Sequence, residues 1–190
     1  MAVETTRPET EVVTGKVRLS YTHLFVPTAN IVGQTEKYST VILIPKTDTM
    51  TIQKMRAAQR LALEAGKTKV FAGKIPRVWK DTIHDGDEEA DLEKNPEYAG
   101  NWYLSVASTR KPPVFDRLKI QITDEEEVYS GCYARVVLNA YAYDQKGNKG
   151  VTFGLQAVQK LGEGERFGGG YVDPDAVFDD LDDDDDDALI

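Results

Sequence analysis

The sequence predicts a mainly β domain, a small and partly open barrel of about five to seven strands with one main helix. Three observations carry this. Several stretches alternate apolar and polar residues, or are rich in β-branched side chains, as half-buried and buried strands do. A single stretch, before Gly66, combines helical spacing with strong helix formers. The last two strand-like runs, "CYARVVLNAYAYD" and "VTFGLQAVQKL", are joined by "QKGNKG", the composition of a hairpin turn.

Residues 1–11 form a polar lead carrying Glu4, Glu9 and Glu11, without the basic start and apolar run of a secretion signal. The domain is expected over 12–161. In "VVTGKVRLSY", Val13, Gly15, Val17, Leu19 and Tyr21 share one face of a strand, and Lys16 and Arg18 lie on the other. "PTANIVGQTE" is a loop, and "KYSTVILIP" is a second strand, buried on both faces over 41–44. Asp48 or Thr47 caps the helix "TMTIQKMRAAQRLALEA" and Gly66 ends it, with Ile52, Met55, Ala58 or Gln59, and Ala62 inward. Residues 67–100 are expected to be a long irregular insertion, basic first and acidic after; loops of that length are usually functional. "NWYLSVAST", "VFD" and "LKIQI" continue the strands. In the longest, Ala134, Val136, Leu138, Ala140 and Ala142 face inward, opposite Tyr133, Arg135, Val137, Asn139, Tyr141 and Tyr143. A glycine-rich linker is expected over 162–172 and a disordered acidic tail over 173–190.

A chain of 190 residues with 41% hydrophobic content suits one domain with tails and can bury a core without disulfides. Cys132 is the only cysteine, so there is no disulfide framework, and a reducing cytoplasm is the expected compartment. No run approaches the ~20 apolar residues of a membrane helix. The net charge of −9 is unevenly placed. Ten of 32 acidic residues fall in 171–190, which has no lysine or arginine, leaving 22 acidic against 23 basic residues in 1–170.

Catalytic signatures are sparse. The histidines are His23 and His84, and no P-loop, Gly-x-Ser-x-Gly or His-Glu-x-x-His occurs. "HDGDEEAD" at 84–91 is the one candidate metal cluster, and a metal-dependent phosphoesterase would rest on Asp85 and Asp87. Its glycine and oxygens are wrongly spaced for a calcium loop, so a solvated acidic turn is preferred. Cys132 is expected to be a small buried residue rather than a nucleophile. No enzyme, cofactor or metal is expected.

Binding fits better. Single-stranded nucleic acid needs cations along the phosphates and aromatic faces for the bases, each stack contributing ~1–3 kcal/mol. Arg18, Arg135, Tyr141 and Tyr143 are expected to form a floor, flanked by Lys74, Arg77, Trp79 and Lys80 on the insertion. Lys146 and Lys149 are placed at the hairpin rim, with Arg110 and Lys111 at another basic turn. The plainer reading is that tyrosines cover a core edge and basic turns only solubilise. The tail, with Phe178, the run Asp182, Asp183, Asp184, Asp185, Asp186 and Asp187, then Leu189 and Ile190, is expected to compete for the cationic groove and to engage a protein partner. A solubilising tail explains the aspartates but not the apolar end. The alternative from another class is an acidic-tailed adaptor or assembly protein that binds no nucleic acid.

The stretches "VVTGKVRLSYTHLFVP", "KYSTVILIPKTDT", "GKIP", "DGDEE" with "NPEYAGNWYLSVAST", "YSGCYARVVLNAYAYDQKGNKGV" and "GLQAVQKLGEGERFGGG" resemble bacteriophage single-stranded DNA-binding proteins. "YSGCYARV", "GNKG" and "GLQAVQKL" are the most specific. The resemblance implies an OB fold, a partly open five-stranded Greek-key barrel, in a non-catalytic protein of phage DNA replication, recombination or repair, located in the infected cell's cytoplasm. It also implies that the tail recruits replication proteins such as DNA polymerase. Duplex DNA or RNA as weaker ligands, and a homodimer, stay open. Related tails often end in phenylalanine, whereas this one ends Ala188-Leu189-Ile190.

Overall fold

Strand formation follows the alternation, with breaks where local chemistry interrupts it. A computed structural model describes residues 7–29 and 31–168. The expected tail, with Phe178, the six aspartates, Leu189 and Ile190, lies outside the described residues. The expected single strand over 12–21 is two: β1 (Glu11–Val13) and β2 (Val17–Thr28), both antiparallel to a later strand. Val12 rather than Val13 is buried. Val17 and Leu19 are buried as expected, but Tyr21 is exposed. It takes φ +47° where the register shifts between Ser20 and His23, and this bulge reverses the parity so that Leu24 faces the core. β2 therefore runs on into what the sequence suggested was loop.

β3 (Lys37–Pro45) leads to α1 (Thr49–Lys69). Asp48 caps this helix, accepting from the Thr51 amide at 3.1 Å and the Thr51 hydroxyl at 2.6 Å. Lys67 and Lys69 in the last turn suit the negative end of the dipole. Gly66 does not end the helix. A Cβ there would lie 2.6 Å from the Ala142 Cβ, so only glycine lets the last turn of α1 pack this closely on the strand that carries Ala142. Met55, Ala58, Gln59, Ala62 and Leu63 complete the buried face.

Segment 67–100 is not irregular throughout. After the helix end it contains β4 (Lys80–Asp81), β5 (His84–Asp85), the short α2 (Gly86–Glu89) and a 3-10 turn, Pro96–Tyr98. Phe71, Ile83 and Tyr98 bury themselves, which ties it down. β6 (Asn101–Ser108) and the two-residue β7 (Val114–Phe115) follow. "LKIQI" forms no strand: Leu118 and Ile120 are exposed in a turn whose backbone is held by the Asp116 carboxylate. β8 (Tyr133–Gln145) and β9 (Asn148–Gly162) make the long hairpin across Lys146 and Gly147, both at positive φ.

The strands close a ring in the order β2–β3–β6–β9–β8 and back to β2. The ring is not a sealed barrel, since β6 meets β9 only at Ala107↔Gly154 and β2 meets β8 at two pairs. β1, β4, β5 and β7 lie along its edges. Inside pack Leu19, Leu24, Ile42, Leu104, Leu138 and Phe153, with Met55 from α1. Cys132 is buried in this core, and burial pushes its thiol up. The first residues of the expected linker are docked: Gly164 donates to the Tyr129 hydroxyl and Phe167 to the Ser130 carbonyl. Among the described residues no helix is long and apolar enough to cross a membrane.

Candidate nucleic-acid interface

In chain order the five ring strands are β2, β3, β6, β8 and β9. The face of the second and third, bounded by the β2–β3 and β8–β9 connections, is the one OB folds use for oligonucleotides. An open groove of about 530 Å³ borders that face, lined by β6, β8 and β9 with Lys37 from the start of β3. Its floor is of small residues, Ser105 and Ala107 on β6 with Thr152 and Gly154 on β9. Tyr141 and Tyr143 on β8 form one wall. Lys37 opens β3 at one end and Lys80 on β4 overlooks the other side.

Small residues put the rings where they are. The Tyr141 ring lies over Gly154, 3.5 Å from where a Cβ would sit. At Gly150 a Cβ would come within 2.7 Å of the Tyr143 hydroxyl and 2.6 Å of the Lys80 carbonyl. Gly150 thus admits both the ring and β4, which pairs with β9 at Lys80↔Gly150. Tyr141 remains 48% exposed. Burial and the neighbouring Tyr143 hold its phenol above the ordinary value, so it stays neutral at physiological pH. Lys37, Lys80 and Lys146 form no ion pair with any described residue.

The structure brings together Tyr141, Tyr143 and Lys80, whereas Lys146 at the hairpin tip and Lys149, 3.6 Å from Asp144, do not line the groove. It does not bring Arg18 or Arg135 to them. Parity places Arg135 on the same strand face, yet it lines a different hollow, because β8 is long and coils around the ring. Arg18 is engaged elsewhere, donating to the Gly131 carbonyl at 3.0 Å and the Glu165 carbonyl at 2.7 Å, between the Phe167 and Tyr133 rings. Trp79 is half-buried against the core and does not line the groove. Lys74 and Arg77 are exposed outside the groove, the Arg110 amide donates to the Ser108 hydroxyl at 3.1 Å with its side chain off the groove lining, and Lys111 covers Phe25 at 5.5 Å. Lys37 and the hydroxyls of the floor were missed; a lysine opening a strand next to a long loop was the available signal.

The acidic run 84–91 is a structural knot. Lys46 Nζ lies 2.6 Å from Asp85 and 2.7 Å from Asp87, which raises the lysine's pKa and lowers both carboxyls. His84 Nδ1 lies 2.6 Å from Glu89. Among the described residues no cluster could hold a metal ion.

A family profile described as "Enterobacter phage Enc34, ssDNA-binding protein" matches residues 10–189. "Putative protein p50" of Acyrthosiphon pisum secondary endosymbiont phage 1 is 34% identical over 172 residues, covering 87% of this chain and 90% of that one. The structure of the single-stranded DNA-binding protein from bacteriophage Enc34 in complex with ssDNA superposes with a TM-score of 0.72 at 28% identity, over 84% of this chain and 90% of that one. The single-stranded DNA-binding protein gp2.5 of bacteriophage T7 shares the fold, with a TM-score of 0.60 at 14% identity over 89% and 94% of the two chains. The OB-fold expectation is thereby met.

Proposed function

The chain belongs to the Enc34 family of phage single-stranded DNA-binding proteins, and we propose that it binds single-stranded DNA, without sequence preference, in the groove beside Tyr141 and Tyr143. The observation that carries this is the groove itself. It borders the OB-fold binding face and pairs the exposed Tyr141 and the half-buried Tyr143 with Lys37 and Lys80, neither in an ion pair with a described residue. Bases stack on the tyrosines and phosphates meet the lysines. The family is one of binding proteins rather than enzymes, and its members' role suggests work in phage DNA replication, recombination or repair.

The tail completes the proposal. Ten aspartates in the last twenty residues compete for the same lysines when DNA is absent, and recruit replication proteins such as DNA polymerase when DNA displaces them. Fluorescence anisotropy of labelled oligo-dT, with full-length protein and with a form truncated after Gly170 at two salt concentrations, tests both. Binding by both forms, tighter after truncation and with the advantage shrinking at high salt, is the expected result. No binding by either form at low salt removes the DNA reading. Equal binding by both removes the competing tail alone.

A further inference from the structure

Beyond the groove, the outer face of β8 continues as a row of Tyr143, Tyr141, Asn139, Val137 and Arg135, alternating with buried Ala134, Val136, Leu138 and Ala140. We propose that its far end is a second contact for the same DNA strand, built around Phe115; this rests on the DNA reading above. The site is a hollow of about 480 Å³ in which Arg7, Lys119 and Arg135 surround an apolar floor that includes Val13, Val137 and Phe115. Its base is continuous sheet. Val13 pairs with Val137 and Val137 with Ala157, while Arg135 pairs with Gln159 and Gln159 with Phe115.

The cations there are presented, not consumed. Arg135 is exposed, and its one hydrogen bond among the described residues is a long one of 3.4 Å from Nε to the Thr14 carbonyl, which leaves its terminal nitrogens free for a ligand. Lys119 is held at φ +65° in a turn where Asp116 Oδ1 accepts from the amides of Leu118 and Ile120 at 2.8 and 2.9 Å, and it forms no ion pair with a described residue. No carboxylate lines the hollow. The nearest paired acid, Glu11, sits 3.5 Å from Arg7, whose side chain is still 71% exposed. Cations around a half-buried aromatic on a sheet face are what a single strand needs, with phosphates on Arg135 and Lys119 and a base on Phe115. From Tyr141 to Arg135 is six residues of strand, roughly 20 Å. A strand lying in the groove reaches this hollow only if it is long enough to follow the ribbon.

Length is therefore the test. Affinities of full-length wild type, K119Q/R135Q and Tyr141→Ala are measured for oligo-dT of about 4 and about 12 nucleotides, within the range OB folds cover. Melting curves confirm that each variant is folded. K119Q/R135Q is expected to weaken the longer oligonucleotide and flatten its salt dependence by roughly 1.4 in log–log slope, two phosphates at ~0.7 each, while leaving the shorter one unchanged. Phe115→Leu, which keeps the apolar volume but not the ring, should follow the same pattern. Tyr141→Ala weakens both lengths. An insensitive K119Q/R135Q variant, as when the hollow's ligand is an acidic polypeptide, overturns the proposal. So does an equal loss at both lengths. Wild type that binds neither oligonucleotide removes the parent reading with it, so the two failures are distinguishable.

Discussion

Arg18 on β2 and Lys80 on the edge strand β4 are both cations set near aromatic side chains, and the molecule uses them in opposite ways. Around Arg18 the guanidinium meets two backbone carbonyls and two rings, 4.2 Å from the Phe167 centroid and 5.1 Å from that of Tyr133. It pins the 163–168 segment across the β2–β8 seam. Around Lys80 the neighbouring Tyr143 lies on a glycine, the floor is small, and the ammonium has no acidic partner among the described residues. Composition is nearly the same at both places. What differs is whether the chain itself supplies acceptors. A cation with its acceptors in place is a fastener; a cation without them is an offer to a ligand.

The largest expected effect breaks the comparison on the ligand side. Tyr141→Ala with Tyr143→Ala removes two stacks of ~1–3 kcal/mol each, a loss of about thirty-fold or more in single-stranded DNA affinity. The fold should persist, since both rings stand on the outside of β8. Unchanged affinity in a folded double variant would place the bases elsewhere. Next is the fastener. Arg18→Ala deletes two charge-assisted hydrogen bonds, each worth ~1.5–3 kcal/mol at most and less where exposed. It should lower the urea midpoint of unfolding and leave DNA affinity within error. A variant of native stability that has lost DNA binding would reverse the assignment of the two regions. Smaller still, Lys80→Gln should cost little stability and reduce the salt dependence of binding by ~0.7 in log–log slope, one phosphate contact. An unaltered slope would mean that Lys80 overlooks the groove without touching the strand.

The difference between the two regions also explains what the sequence could reveal. Alternation along 133–142 located the inner face of β8 correctly, and the Lys146-Gly147 hairpin and the Asp48 cap follow from local chemistry. Alternation identifies a face, however, not a position around a coiled ring, so Arg135 was grouped with Tyr141 although the two line different hollows. The bulge at Tyr21 was invisible because nothing about a tyrosine announces φ +47°. β4, β5 and β7 are two residues each, too short for periodicity, and form because the ring offers them an edge. Arg18's partners are carbonyls 113 and 147 residues away in sequence, a distance no local pattern spans. Fasteners and offers look alike until the chain is folded.

The subtlest expected effect concerns how the offer is held in place. Lys80 is followed by Asp81, whose carboxylate accepts from the Ile83 amide at 3.0 Å and from the buried Gln59 amide at 2.9 Å, and pairs with the Arg56 guanidinium. Burial alone would push this carboxyl up. The bonds from Ile83, Gln59 and Arg56 outweigh burial and leave it below the ordinary value. A carboxyl depressed on folding adds stability above its unfolded pKa, near 3.9, and that contribution disappears as pH falls through the lower folded value. Asp85, Asp87, Glu89 and Glu163 are depressed too, so every variant should melt earlier in acid. The Asp81 contribution is therefore read as a difference. Wild type should melt above Asp81→Asn at pH 7, and the gap should narrow below about pH 4. Curves that stay parallel from pH 7 to pH 3 would mean that the charge on Asp81 does not anchor β4. The rim carrying Lys80 would then owe its position to its two pairs with β9 and to the Thr82 hydroxyl bond to the Val151 carbonyl.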